Sequence, residues 1–235
     1  MEDYSVVFSK IDAGRVLDVA TGNGYFLDSL LKGAKTYTVA IGVDKKEGAA
    51  QPFSDTFKDN AKVSFAVMDG MKLDFTDASF DTVCISHSLH HLETPAAVLG
   101  EMFRVLRPGG MFIINEMYCD GEQKETQQTH VLLHHWMAKI DSSSGIYHRE
   151  TYKREELLGF ARSLELHEIE AHDIADLRDD PMSPDVIADL DPVIDRYLSR
   201  LEGAEEQSLL GETIRKRMRD VGFHSASGLL IMARK

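Results

Sequence analysis

The feature that most constrains the fold is a regular alternation of short apolar runs with amphipathic stretches in the first half of the chain. Five runs predict strands and three stretches between them predict helices. The strands cover 15–20, 37–44, 63–69, 82–86 and 111–116, and the helices cover 24–32, 46–60 and 95–106. Strands that alternate with helices need crossover connections, and continuous apolar runs indicate burial on both faces. We therefore predict an α/β fold with a doubly wound, mostly parallel sheet.

The pattern changes after Glu116. It predicts helices within 121–141 and over 153–164, a strand over 164–172, and a final strand over 228–233. Between them we predict an irregular excursion with short helices over 176–192 and a mostly helical stretch over 194–221. The turn 107–110, Arg-Pro-Gly-Gly, is predicted to close the helix before it, because proline prevents continuation and glycine can take the left-handed cap. We predict a single domain over 1–235, with helical insertions at 122–152 and 176–221.

Charge and cysteine content narrow the function classes. The 235 residues carry a formal net charge of -13, which disfavours a nucleic-acid partner. The basic stretch 215–219 is interpreted as a solvated helix face. Two cysteines, Cys84 and Cys119, are too few for a disulfide scaffold and are expected to act as small buried hydrophobes. No apolar run is long enough for a signal peptide or a membrane span, so we expect a cytoplasmic protein with no membrane partner.

The turn after the first strand is the first candidate binding element. Gly22 and Gly24 lack side chains, so the backbone there can touch a ligand. The next helix starts with free N–H groups, and ligands of such sheets bind beyond the carboxyl ends of the strands. A dinucleotide fingerprint needs a third glycine three residues after the second, and this chain has Leu27 there. The turn therefore disfavours a pyrophosphate cradle.

Two acids end the next strands. Asp44 ends the second strand, where a carboxylate can accept hydrogen bonds from both ribose hydroxyls of a nucleoside. Asp69 ends the third strand, where it can accept from an adenine amino group, and Met71 can lie on the purine face. Asp44 alone would also suit NAD, and each acid could instead be a strand-end or capping residue.

These motifs together resemble the class I S-adenosylmethionine-dependent methyltransferases, especially the branch with the ubiquinone and menaquinone methyltransferases. The resemblance runs from Ala13 to Met117 and is specific because the motifs occur in order. They are Val16-Leu17-Asp18-Val19-Ala20-Thr21-Gly22-Asn23-Gly24, Gly42-Val43-Asp44, Met68-Asp69-Gly70, Leu73-Asp74-Phe75, Ser79-Phe80-Asp81, Ser88-Leu89-His90-His91-Leu92 and Leu106-Arg107-Pro108-Gly109-Gly110. One departure is Ala20, where the family often has glycine.

The resemblance implies a Rossmann-like sheet of seven strands, with the seventh antiparallel, and S-adenosyl-L-methionine as cofactor. Asp18 would orient the glycine loop and, through water, the methionine amino group, and Gly22 and Gly24 would line the methionine portion. Ala20, in the same turn, is also assigned to the cofactor site. The resemblance also assigns ribose, adenine and the methionine end to the residues that follow the next strands: Asp44 to ribose; Asp69, Gly70 and Met71 to adenine; Ser86 and His87 to the methionine end.

The function that this resemblance implies is in-line transfer of a methyl group to a small-molecule acceptor. A sulfonium methyl is already activated, so positioning and desolvation suffice, and a general base can assist. His87 is the candidate for contact with the substrate or as that base. Two alternatives stay open: a protein that binds S-adenosylmethionine without transferring methyl, and a nicotinamide-dependent oxidoreductase. The sequence leaves the identity of the acceptor open, and a homodimer is a possible state.

Histidines are concentrated after the fourth and fifth strands. His90 and His91 are interpreted as packing or helix-start residues, and His130, His134 and His148 as lid or pocket-wall residues. No metal site is predicted, because no cysteine or carboxylate spacing completes a ligand set. Further along the same region, Trp136 is expected to pack in a helix–core contact, Tyr147 could add to an apolar wall, and Glu116 is either a cap or a contact for a polar substrate group.

Overall fold

The computed structural model of the protein describes residues 4–177 and 179–235. Seven strands follow the chain as β1 (Asp12–Val19), β2 (Thr36–Asp44), β3 (Val63–Val67), β4 (Phe80–Ser86), β5 (Leu106–Met117), β6 (His167–Ile174) and β7 (Gly228–Arg234). Eight α-helices accompany them in the described residues: α1 (Tyr4–Phe8), α2 (Tyr25–Gly33), α3 (Ala50–Thr56), α4 (Pro95–Val105), α5 (Glu125–Ser143), α6 (Arg154–Ser163), α7 (Pro184–Leu198) and α8 (Glu205–Asp220).

The strands form one sheet in the order β3-β2-β1-β4-β5-β7-β6. All pairs from β3 to β5 are parallel, and β7 is antiparallel to both of its neighbours. This confirms the predicted Rossmann-like, doubly wound, seven-stranded sheet with an antiparallel seventh strand. The chain runs outward from β1 to β3 and then returns to place β4 on the other side of β1. The crevice at that switch point is where ligands of such sheets bind.

Alternating side chains of the central strands build a core on each face of the sheet. Leu17, Val83 and Phe112 belong to the cluster that also contains residues of α4 and α6. Their neighbours Val16 and Cys84 belong to the cluster under α1, α2 and α3. Burial on both faces explains why these strands are continuous apolar runs, and it fixes the carboxyl ends of β1, β2 and β4 next to one another.

A third apolar cluster joins α5, α7 and α8. Trp136 of α5 is 1% exposed and packs with Ile194 and Met218. Its indole N–H donates to the carbonyl of Gln207 at 2.9 Å, so the polar edge of the ring is also satisfied. The predicted packing role of Trp136 is confirmed. Helices α7 and α8 thus rest on the outer side of α5.

Two predictions of local structure are wrong. The prediction for 176–192 is wrong from Pro184 onward: the described residues before it are irregular, but the single helix α7 begins at Pro184 and continues through Pro192. Ile187, Leu190 and Ile194 recur at helical spacing and pack on the cluster below, which outweighs the hydrogen bond lost at proline. The predicted helical stretch 194–221 contains the end of α7 and the whole of α8.

The second correction concerns the turn 107–110. Helix α4 ends at Val105, and residues 106–110 already form the start of β5. Leu106 pairs with Phe80, and the Gly109 N–H donates to the carbonyl of Lys235, so ladder contacts set the conformation here. Gly109 does adopt a left-handed φ of 74°, four residues beyond the last residue of the helix.

No helix in the described ranges combines the length and apolar character that a membrane crossing requires.

The close contact of α8 with α5 gives a stability prediction. A Cβ at Gly211 would lie 2.4 Å from Trp136 and 2.9 Å from Leu198, so Gly211→Ala should lower the free energy of unfolding by about 1–3 kcal/mol. The control is Gly159→Ala in α6, where the added methyl meets open space and should raise stability by about 0.5–1 kcal/mol. Urea unfolding followed by circular dichroism measures both. Equal effects at the two positions would contradict the packing described.

Candidate active site

A cavity of about 460 Å³ opens at the carboxyl ends of β1, β2 and β3. Six of the ten residues that the sequence assigned to cofactor binding line it: Ala20, Gly22, Asp44, Asp69, Gly70 and Met71. Its other walls come from the segment after β4, from the start of α4 and from the connection after α5, with Ser88, His91, Val98, Ile146 and Tyr147 among them. The cavity volume lies in the range of sites for drug-sized ligands and cofactors.

The turn between β1 and α2 reverses the chain through three residues with positive φ. Ala20 has a φ of 55°, Gly22 of 53° and Gly24 of 79°. Glycine adopts this conformation freely, whereas alanine adopts it at a steric cost. The backbone at Ala20 is therefore strained. Gly22 has open space where a side chain would point. The turn can therefore bring the backbone directly against a ligand.

Gly24 has a different part in the turn. A Cβ there would lie 2.5 Å from Phe57 and 2.9 Å from Phe53, both on the side of α3. Gly24 is buried and is not among the cavity-lining residues. It permits close packing of the turn on α3, so the structure does not bring it to the cavity wall.

Asp44 and Asp69 stand at the cavity with capacity to accept further hydrogen bonds. Asp44 accepts from the Gly22 N–H at 3.1 Å and from the Lys46 N–H at 2.9 Å, one on each carboxylate oxygen. Asp69 accepts from the Met71 N–H at 2.9 Å. Each carboxylate has about four lone-pair positions, so both keep positions for the hydroxyl or amino groups of a ligand. The capping alternative and the binding role are thus compatible for both acids.

Met71 is held in place at the rim. Its sulfur accepts the hydroxyl of Thr94 at 3.1 Å, and its side chain remains 51% exposed. Gly70 precedes it, and a Cβ there would approach Val19 to 3.0 Å and Val98 to 3.1 Å. This part of the cavity is consequently a narrow apolar slot with one exposed thioether.

Asp18 lies behind the turn and does not line the cavity. It is 1% exposed, accepts the Thr21 hydroxyl at 2.5 Å, and lies 3.3 Å from the Cys84 thiol of β4. Burial raises the pKa of its carboxyl to about 7, against the opposing effect of these two hydrogen bonds. Its place in the structure is to tie the turn to β4, which agrees with a loop-orienting role.

Ser86 and His87 end β4, but neither lines this cavity. The Ser86 hydroxyl accepts from the side-chain amide of Asn115 at 2.8 Å. His87 has a φ of 45°, and its side chain is 49% exposed. Desolvation lowers the pKa of His87, while the carboxylate of Glu116, 3.8 Å from its Nδ1, opposes that effect. His87 therefore lies beside Glu116 at the end of β4, outside the cavity wall.

Sequence reasoning missed several residues of the cavity. Ser88 lines it and donates to the carbonyls of Ser86 at 2.8 Å and Ala20 at 3.3 Å, which connects the two strand ends. Its position two residues after a strand was the available signal. Ile146, by contrast, comes from the connection after α5, and no local pattern marks it. Tyr147, beside it, was noted only as an apolar wall.

Four of the five histidines assigned to packing or lid roles gather in one place: His90, His91, His134 and His148. His90, at 3% exposure, faces Glu116 of β5, with Nδ1 3.1 Å from a carboxylate oxygen. The Nε2 atoms of His134, on α5, and of His148 are 3.1 Å apart. Nδ1 of His148 lies 2.7 Å from a carboxylate oxygen of Asp141. Burial lowers the pKa of His134 to about 2, and neighbouring histidines add to the effect. His130 is separate and accepts the backbone N–H of Ala226 at 2.9 Å.

Glu116 is the centre of this region. The carboxylate has no exposure and accepts the backbone N–H groups of Leu89 and Met117, each at 2.9 Å. Burial raises its pKa, but the facing His90, His87 and backbone donors outweigh that effect and hold the pKa below its usual value. Glu116 is an ionised anchor for the segment after β4, which favours the capping alternative over a contact to substrate.

Comparison with known proteins agrees with this geometry. Residues 17–114 match the family model described as a methyltransferase domain. A demethylmenaquinone methyltransferase of Clavibacter sepedonicus is 34% identical over 102 residues, which cover 43% of this chain and 40% of the relative. This part of the chain is therefore similar to methyltransferase domains. It contains the turn after β1 and both cavity acids.

Two further similarities cover more of the chain. The 27-O-demethylrifamycin SV methyltransferase of Amycolatopsis mediterranei is 27% identical over 203 residues, 83% of this chain and 65% of the relative. The crystal structure of the YcgJ protein of Bacillus subtilis superposes with a TM-score of 0.64 at 17% identity, covering 99% of this chain and 97% of that one. The last likeness shows a shared fold alone. The chain spans between two fifths and two thirds of the length of the two curated relatives.

The buried carboxyl of Asp18 gives a pH prediction. Between its ordinary value of 3.8 and about 7, the folded protein keeps a proton that the unfolded chain has released. The free energy of unfolding should therefore fall as the pH rises through this window, by about 1.4 kcal/mol for each pKa unit of the shift. Asp18→Asn should remove this slope. Urea unfolding at pH values from 4 to 8 measures it.

The control for that experiment is Glu47→Gln, which changes an exposed acid after β2 and should keep the slope of the wild type. An Asp18→Asn protein with the wild-type pH slope would show that another group titrates.

Proposed function

We propose that this protein transfers a methyl group from S-adenosyl-L-methionine to a small-molecule acceptor. The observation that carries the proposal is the single cavity in which Gly22, Asp44 and Asp69 meet at the switch point of the sheet. The residues present fit the cofactor: the volume is adequate, a glycine edge offers open space, and two carboxylates supply acceptors for a nucleoside. The cofactor supplies an activated sulfonium methyl, which needs no metal or redox partner for its transfer.

The residues of the chain would bind and orient this cofactor. Asp44 would accept from the ribose hydroxyls with charge-assisted strength, and Asp69 with Gly70 would hold the adenine edge. Met71, exposed at the rim, would cover one face of the purine. The turn residues Ala20 and Gly22 would border the methionine portion, with Gly24 and Asp18 holding the turn from behind.

The acceptor side would begin at the end of β4. Ser86 and His87 would border the reacting methyl, and the neutral ring of His87 could take a proton from a hydroxyl or an acidic carbon. The two curated relatives described above bear names that specify a demethylmenaquinone and a demethylrifamycin, both small molecules. These names, with the net charge of -13, support a small-molecule acceptor and oppose a nucleic acid.

We propose that the two helical insertions, 122–152 and 176–221, cover the acceptor. Ile146 and Tyr147 of the first line the cavity directly. The second packs on α5 from outside, so it would support the cover without touching the cofactor. We also propose a cytoplasmic location, which the two free thiols favour.

The ribose assignment is tested at Asp44. Asp44→Ala should weaken binding of S-adenosylhomocysteine by more than about tenfold, because a hydrogen bond to a charged group contributes about 1.5–3 kcal/mol. Isothermal titration calorimetry gives the affinity, and Glu47→Ala is the matched exposed acid that should leave it unchanged. A loss under threefold at Asp44 would refute the ribose contact.

The same calorimeter separates the proposal from its alternatives. Binding of S-adenosylhomocysteine but not NAD excludes the nicotinamide-dependent oxidoreductase, and tight binding of NAD alone would overturn the proposal. A protein that only holds the cofactor would give no labelled methyl product from any acceptor in a panel of quinols and phenols.

The cover is tested at Tyr147, which is 42% exposed on the cavity wall. Tyr147→Ala should weaken the binding of S-adenosylhomocysteine by roughly fivefold, because an aromatic contact contributes about 1 kcal/mol. Tyr147→Phe keeps the ring and should bind as the wild type does. Identical affinities for all three proteins would remove the 122–152 segment from the cofactor site.

A further inference from the structure

We propose that His90, His134 and His148 form a site for one divalent transition-metal ion, with zinc as the best match. One ring nitrogen of each histidine lies within 4.8 Å of those of the other two. The three residues are separated by 44 and 14 positions in the chain and come from the segment after β4, from α5 and from the connection after it. The proposal does not depend on methyl transfer.

The distances suit a metal centre. The Nε2 atoms of His134 and His148 are 3.1 Å apart. Two nitrogens bound to zinc at 2.0–2.1 Å with a tetrahedral angle are about 3.3 Å apart, so a small adjustment would let both rings share one ion. Three imidazoles are also the protein ligands of one known class of zinc centre, which leaves a fourth position for water or a substrate oxygen.

Carboxylates set the orientation of two of the three rings. Asp141 accepts from Nδ1 of His148 at 2.7 Å, and Glu116 faces Nδ1 of His90 at 3.1 Å. With Nδ1 protonated and bonded, Nε2 of each ring carries the lone pair that a metal needs. Metal-binding histidines almost always have such a carboxylate or carbonyl on the other ring nitrogen.

The carboxylates also balance the charge of a buried dication. Glu116 is fully buried and Asp141 is 6% exposed. Asp141 is itself fixed by the Tyr197 hydroxyl at 2.8 Å and by Arg200 at 2.7 Å. A divalent ion would therefore sit among three rings with two carboxylates one ring away, one of them also paired with Arg200, which offsets part of the cost of burying it.

One polar atom in the cluster has no partner. Nδ1 of His134 is buried without a hydrogen bond among the described residues. In a purely hydrogen-bonded cluster, His134 would donate through Nε2 to His148 and leave Nδ1 as an orphaned lone pair, which carries a desolvation cost. In the absence of a metal, one N–H···N contact is therefore the hydrogen bond that holds this ring among the described residues.

The site lies beside the cofactor cavity. The ring of His91 lines that cavity, and its centroid is 4.2 Å from that of His90 and 4.3 Å from that of His148. His91 thus stands between the cavity and the three-histidine cluster. Nitrogen ligands favour zinc, nickel, cobalt and copper and disfavour magnesium and calcium, which prefer oxygen.

Zinc binding to the full-length protein tests the proposal. The protein is treated with EDTA, freed of the chelator, and titrated with zinc against a chromogenic chelator. We expect one zinc ion per chain and no competition from a large excess of magnesium. Cobalt should bind in the same stoichiometry and give the visible absorption of a tetrahedral nitrogen site. No uptake of zinc by the wild type, with the protein folded by circular dichroism, would overturn the proposal.

Variants locate the ion. His134→Gln and His148→Gln should each lower the affinity for zinc by at least 100-fold and abolish the cobalt spectrum. Asp141→Asn, which acts only through His148, should weaken it by about 10- to 100-fold. The control is His135→Gln, next to His134 on α5 but bonded to Thr151, which should bind zinc as the wild type does.

Cofactor binding serves as the folding check. Neither His134 nor His148 lines the cofactor cavity, so both glutamine variants should retain their affinity for S-adenosylhomocysteine. If both retain it and also bind zinc as tightly as the His135→Gln control, the site is refuted. If the wild type binds zinc while no variant binds S-adenosylhomocysteine, the cobalt spectrum of the wild type decides, since octahedral oxygen coordination would place the ion elsewhere.

Discussion

The turn after β1 is the constraint on which the rest of the site depends. A strand buried on both faces ends there, and the chain must reverse within five residues to begin α2. Positive φ at Ala20, Gly22 and Gly24 makes the reversal, and the buried carboxyl of Asp18 ties it to β4 through Cys84. Asp44 accepts the Gly22 N–H, so the second strand holds the turn as well. The ends of β1, β2 and β4 are therefore held together at one loop.

The cost of this arrangement is visible in the same residues. Asp18 is a buried carboxyl whose pKa is raised to about 7, and Ala20 occupies a conformation that suits glycine. His87, at the end of the neighbouring strand, is a second non-glycine residue with positive φ. Strained backbone and shifted pKa values are concentrated at functional sites because the surrounding fold over-determines them. Here the sheet supplies that rigidity through its fully buried central strands.

Behind the cofactor cavity, Glu116 connects the catalytic cleft with the histidine cluster. Its carboxylate fixes the backbone at Leu89 and faces both His87 and His90. The end of β4 and one proposed metal ligand therefore share a single buried charge.

The sequence by itself determined the sheet and the cavity acids. Strand periodicity, the glycine turn and acids at strand ends are local patterns, and parallel strands carry their carboxyl ends to one edge whatever the loops do. Asp44 and Asp69 could be named for that reason. Local patterns alone also gave a wrong prediction within 176–192, because proline there indicated irregular structure. Packing on α5 stabilises a helix at that place.

Only the tertiary structure decided which histidines meet. His90 and His134 are 44 residues apart, and nothing in either segment encodes their contact. It arises because α5 is held against the sheet, with Trp136 anchoring it to α7 and α8 on the outer side. The carboxylates that orient the rings come from β5 and from α5 itself. Spacing in a sequence cannot reveal a site whose members are brought together by the packing of separate elements.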